Sequence, residues 1–182
     1  MKTYFALFAL AGTLAAQDAP KTDAPKSGAP KSALIGTSQG IYALAKGNIL
    51  RSANKIPEDL WSFKPTPDVR TVGQLFAHIA DGQYEFCGAA IEGKMLNKGV
   101  ETSAKTKTEI LAALKEAFAY CDAGYGQLTD ASAVELVSAF GQKLTRIGLM
   151  DFNISHTLEH YGNLVTYMRL KGIVPPSSER SQ

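Results

Sequence analysis

Three histidines are all the imidazole this 182-residue chain has: His78, His156 and His160. The last two stand four residues apart in "NISHTLEHYGNLVTYMRLKGI". On a helix, residues at that spacing share a face with their Cβ atoms about 5–6 Å apart, so both rings can reach one ion. Two imidazoles leave a tetrahedral or octahedral ion short of ligands. A third has to come from another element, and His78, in "TVGQLFAHIADGQYEF", is the remaining histidine. A buried imidazole without a partner is costly, and one divalent ion would satisfy three inward rings at once. Spacing alone leaves a shared metal site and three separately hydrogen-bonded core histidines as equal alternatives.

Neutral imidazoles suit zinc, nickel, copper or iron(II). Three protein ligands leave at least one coordination position for water or substrate, as catalytic sites do. A water held there would have a lowered pKa, and a thiol could bind as its thiolate. The acid–base groups nearest the histidines in sequence are Asp81, three after His78, and Glu159, beside His160. Tyr84, Glu85 and Asn153 are further candidates. For each of these, a solvated surface charge is the competing and favoured reading. No Ser-His-Asp or Cys-His arrangement and no phosphate loop is present, so a side-chain nucleophile has no support.

Helices must position these groups. Residues 34–55 carry Leu34, Ile41, Leu44, Ile49 and Leu50 on one broad stripe, and Pro57 stops the run. "PEDLWSFKPTPDVR" reads as a loop folded back through Leu60, Trp61 and Phe63. Thr71 is a suitable N-cap, followed by Val72, Leu75, Phe76, Ile79, Phe86, Ala90 and Ile91 at helical spacing, which turns His78 toward the bundle interior or its rim. A third helix from about Lys107 carries Ile110, Leu111, Leu114, Phe118, Cys121 and Tyr125. "LTDASAVELVSAFGQKLTR" is ambiguous, a loop with an extended piece at Val134–Val137. The last helix runs from about Thr145 to Leu170, with Phe152, His156, His160, Leu164 and Tyr167 on its inward stripe, and ends at Gly172 before Pro175-Pro176. Four amphipathic helices without convincing strands predict an all-α four-helix bundle, whose metal sites are built from inward side chains on facing helices.

The start of the chain, "MKTYFALFALAGTLAAQDAP", has a lysine, a short apolar run from Tyr4 to Leu14 and then small residues. That is the layout of a secretory signal peptide, too short to span a bilayer as a stable helix. The expected organisation is a signal peptide at 1–17, cleaved near Ala15 to Gln17, and a flexible linker at 18–33 in which Ala-Pro-Lys recurs. The bundle then takes 34–176 and a tail 177–182. A bacterial periplasmic or secreted protein follows, with no membrane insertion after cleavage. In an oxidising compartment Cys87 and Cys121 either bridge or pack as buried free thiols. Net charge is +2 with its lysines and arginines dispersed, which gives nucleic-acid binding no support.

The same residues resemble the DinB-like (DinB/YfiT) superfamily of metal-binding four-helix bundles. "HTLEHYGNLVTYMRLKGIVPP", preceded by "LTRIGLMDFNIS" and paired with "TVGQLFAHIADGQYEF", is similar to its pattern of one histidine on the second helix and HxxxH on the last. Matching positions are His78, His156, His160, Gly162, Tyr167, Arg169, Gly172, Pro175 and Pro176. "IPEDLWSFKPTPDVRTVGQL" looks like the family's loop between the first two helices, and Asn163 departs from the usual glutamine. The resemblance covers roughly residues 34–176. It implies His78, His156 and His160 as ligands, zinc or nickel as the ion, a homodimer, and a small-molecule substrate for hydrolysis or thiol-dependent transfer. A non-catalytic metal- or ligand-binding module is the alternative. The enzyme predicts an open coordination site in an accessible pocket, and the module a closed one.

Overall fold

A computed structural model describes residues 32–179. The expected signal peptide, its cleavage point and nearly all of the expected linker lie outside the described residues. Four long helices make the bundle: α1 (Ala33–Lys55), α2 (Val72–Glu92), α4 (Lys107–Gln127) and α6 (Arg146–Leu170), with one-turn helices α3 (Val100–Ser103) and α5 (Asp130–Ala133) between them. Each long helix begins on a hydroxyl cap, Ser32, Thr71, Thr106 and Thr145. Gln74 and Glu109 complete capping boxes at α2 and α4, so otherwise orphaned N–H groups are satisfied locally. α2 is the central helix, packed on α4 and α6, and α1 closes the bundle against α6 and α4.

Leu75, Phe76, Ile79, Leu114, Phe118, Tyr125 and Leu164 are buried in one core, as the periodicity predicts, and Leu149 joins them. The expectation for α1 needs correction. Leu34, Ile41 and Leu44 face solvent, and the buried positions are Ile35, Ser38, Tyr42, Ala45, Asn48, Ile49, Ser52 and Ala53. Of the expected stripe Ile49 is buried; around it and Ile35 and Tyr42 the inward face is filled by small and polar side chains, so following Leu34, Ile41 and Leu44 selects the wrong face. Trp61 folds back as expected. Its indole N–H donates to the Ile56 carbonyl, and its own carbonyl accepts from the N–H of Gly73, where an added Cβ would lie 3.3 Å from that oxygen.

Between α5 and α6, where an extended piece was expected at Val134–Val137, a hairpin forms: β1 (Leu136–Ala139) pairs antiparallel with β2 (Gln142–Thr145). Its two-residue turn, Phe140-Gly141, has positive φ at both positions, +52° and +74°. The expected tail is docked for its first residues: the Ser177 N–H donates to Tyr161 Oη at 2.9 Å, and Glu179 pairs with Lys55. Cys87 and Cys121 form a disulfide between α2 and α4, Cα atoms 5.5 Å apart, which settles the alternative left open by sequence.

Candidate metal centre

His78 on α2 meets His156 and His160 on α6. His156 Nε2 lies 3.1 Å from His78 Nε2 and 3.1 Å from His160 Nε2, and ligand nitrogens from all three lie within 4.8 Å of one another. Two neighbouring contacts set the helices in register. Gln83 Nε2 donates to Thr157 Oγ1 at 2.9 Å, and Asn153 Nδ2 donates to Gln83 Oε1 at 2.8 Å, both fully buried one turn from the cluster. Gly82 provides the room. A Cβ there would sit 2.6 Å from His156 Cε1, so the ring lies against bare backbone.

The protons can be placed for His78. Its Nδ1 is 3.0 Å from Glu101 Oε2, and Glu101 Oε1 accepts from Arg70 Nε at 2.7 Å. Burial pushes the Glu101 carboxyl up, but Arg70 and then His78 outweigh it and hold it below the usual carboxylate range. An ionised carboxylate only accepts, so His78 Nδ1 carries the hydrogen and its Nε2 lone pair faces the other two rings. His156 is held neutral: burial, then His160 and His78, push it down to about 3. His160 is lowered by burial first and by His78 next. His156 Nδ1 is buried against Gly82 with no hydrogen-bond partner among the described residues, so Nε2 is the ring nitrogen of His156 that has neighbours to answer.

This donor set fits a divalent transition ion. Nitrogens bound about 2.0–2.1 Å from one ion lie about 2.9 Å apart at right angles and about 3.3 Å apart at tetrahedral angles, which brackets the observed 3.1 Å. A single shared proton can bridge one of these two Nε2 contacts, whereas the other would remain lone pair against lone pair. His160 opens onto a cleft of about 590 Å³ lined also by Arg70, Glu101, Glu159, Asn163 and Tyr167. A second groove of about 540 Å³ over Trp61 shares Gln74 and Glu101 with the first but contains no histidine.

The acid–base candidates fall in different places. Glu159 is exposed, lines the cleft, and makes no hydrogen bond or ion pair to a described residue. Asp81 does not face the cluster as a free acid. Its two oxygens accept from the N–H groups of Val100 (2.8 Å) and Glu101 (2.9 Å) and fix α3. Asn153 is buried between Gln83 and the disulfide sulfurs. Tyr84 stacks on Tyr120 and lies under Lys98, with its hydroxyl pKa raised by burial first. Glu85 is half-buried. Phe152, expected on the inward stripe, is 53% exposed, because the buried positions of α6 are Asn153, Thr157, His160 and Leu164. Glu101 and Arg70 were missed, since each reaches the site from a loop or a single turn with no periodicity to read. Gly82 had a legible signal, a glycine inside a helix four residues from a histidine.

A family model described as the DinB superfamily matches residues 42–164. The chain belongs to the DinB superfamily. The uncharacterised protein YjoA of Bacillus subtilis is 33% identical over 132 residues, 66% of this chain and 79% of YjoA. Its crystal structure superposes with a TM-score of 0.64 at 24% identity, covering 80% of this chain and 99% of YjoA. A DinB-like protein of Bacillus cereus gives a TM-score of 0.67 at 16% identity, over 78% of this chain and 95% of that one. A mycothiol-dependent maleylpyruvate isomerase shares the fold with a TM-score of 0.59 at 12% identity; the match covers 71% of this DinB-superfamily chain and 60% of the isomerase.

Proposed function

We propose that this DinB-superfamily protein is an exported enzyme that holds a divalent transition metal on His78, His156 and His160, zinc or nickel in the first instance, and uses it on a small molecule, by thiol-dependent transfer or by hydrolysis. The observation that carries the reading is the convergence of His78 Nε2 and His160 Nε2 on His156 Nε2, each at 3.1 Å, beside an open cleft. A closed site would suit storage or structure, and this one adjoins solvent.

The residues prepare the site before anything binds. Burial keeps His156 and His160 in the neutral form that ligation requires. Glu101, braced by Arg70, fixes the tautomer and plane of His78. The ion, when bound, would supply Lewis acidity and lower the pKa of water or of a thiol beside it. Three neutral donors leave its charge uncompensated, which favours an anionic fourth ligand such as a thiolate. The fold shared with a mycothiol-dependent isomerase supports thiol chemistry by analogy. Glu159, free in the cleft, is the group placed to carry a proton to or from a bound molecule. Export is supported by the signal-like N-terminus and by the disulfide, a bond that oxidising compartments preserve.

Elemental analysis of the purified protein should find about one transition-metal ion per chain, and His156→Ala should lose it. Equal metal in the two proteins would defeat the assignment. With cobalt(II) in the site, added 2-mercaptoethanol should raise a thiolate-to-cobalt absorption band, and its absence would remove thiol chemistry in favour of hydrolysis.

A further inference from the structure

The β1–β2 hairpin turns on Phe140-Gly141, with φ +52° and +74°. A turn of this kind takes Asn-Gly or Asp-Gly readily, whereas a phenylalanine in the left-handed region is an outlier that its surroundings must impose. The Phe140 ring lies 5.8 Å from Phe86 and 5.8 Å from Phe152, and Phe86 and Phe152 are 5.1 Å apart edge to face. Yet Phe140 stays 46% exposed and Phe152 53%. The strained turn therefore does not serve to bury its ring. It holds an aromatic surface in contact with solvent: Phe152 lies one helical turn before His156, and the buried Phe86 beneath the surface packs edge-on at 5.1 Å from His156.

Both helices present the same order of groups. Along α6, Phe152, His156, His160 and Asn163 follow one another on one side, and along α2 the order is Phe86, Gly82, His78 and Gln74. Aromatic rings lie at one end, the imidazoles in the middle, and the polar cleft with Arg70, Glu101 and Glu159 at the other. From Phe152 to Asn163 is about 16 Å of helix, the length of a small extended molecule.

We propose that the exposed rings of Phe140 and Phe152, backed by the buried Phe86, bind the apolar part of the substrate, making the substrate class an amphipathic small molecule: an aryl or alkyl group on one side of the reacting centre and a polar or anionic group on the other. This rests on the metal-centre reading for the position of the reacting group.

The test uses the full-length protein loaded with cobalt(II) and two probes, phenylmethanethiol and 2-mercaptoethanol, titrated by the thiolate-to-cobalt band. Wild type should bind the phenyl probe at least about tenfold more tightly, the gain expected of one ring set against an aromatic surface. In Phe152→Ser and in Phe140→Asn that preference should fall to about twofold or less, with cobalt content and 2-mercaptoethanol affinity unchanged. Phe140→Asn should also melt no lower than wild type, since asparagine accepts the left-handed turn, which separates lost binding from lost folding. An unchanged phenyl preference in cobalt-loaded variants overturns the aromatic site and leaves the metal centre standing. No cobalt uptake by wild type ends both. Dissociation of a dimer in both variants by sedimentation overturns the proposal by assigning the rings to a subunit interface.

Discussion

Glu101 is the side chain on which the orientation of His78 depends, since it takes the Nδ1 hydrogen at 3.0 Å while Arg70 holds its other oxygen. Replacing it with glutamine keeps an acceptor of the same shape but removes the charge that makes the imidazole a stronger donor to an ion. Glu101→Gln should weaken metal binding by about 10–100-fold in a chelator competition, with the melting temperature of metal-free protein nearly unchanged. Equal affinity would mean that the carboxylate is only a surface partner of Arg70. The cluster of three histidines was legible because the chain has no other histidines and all three fall at inward helical positions. Their supporting groups were not legible, because His78 and Glu101 are 23 residues apart across a loop. Helical periodicity reports the face on which a residue lies and is silent about the segment that folds over that face. Asp81 illustrates the same limit, being close to His78 in sequence yet committed to the backbone of α3.

Among the elements, α2 carries most of the connections. It supplies His78, the Gln83 contacts to α6, and Cys87 of the bond to α4. Removing that bond as Cys87→Ala/Cys121→Ala frees a loop of 34 residues and should cost about 3–4 kcal/mol in the chain-entropy view, read as a lower urea midpoint. A midpoint unchanged from the oxidised wild type would show that the bond constrains little. The starts of α2 and α4 and both ends of α6 were readable: Thr71 caps the first, α4 begins at Lys107 as read, and Thr145 and Gly172 bound the last. The face of α1 was legible only at Ile49, because alanine, serine and asparagine fill most of the buried stripe between Ile35, Tyr42 and Ile49 while Leu34, Ile41 and Leu44 face solvent. The hairpin escaped for a related reason: its turn uses phenylalanine where asparagine or aspartate would have signalled it.

For the molecule as a whole, the reading of the first 17 residues as a signal peptide makes a direct prediction. Expressed in a bacterium from its native start, the protein should be recovered outside the cytoplasm with an N-terminus between Ala16 and Asp18 on sequencing. Recovery in the cytoplasm beginning at Met1 would count against export. The bundle has a further asymmetry. A covalent bond ties α2 to α4, and among the described residues nothing covalent ties α2 to α6, the seam that His78, His156 and His160 span. A cation there would act as a removable rivet across that seam. Stripping it with a chelator should therefore unzip the molecule from one side only: backbone amides of α6 should exchange with deuterium faster, while those of α4 keep their protection. Uniform acceleration across both helices would show that the cation fastens nothing in particular.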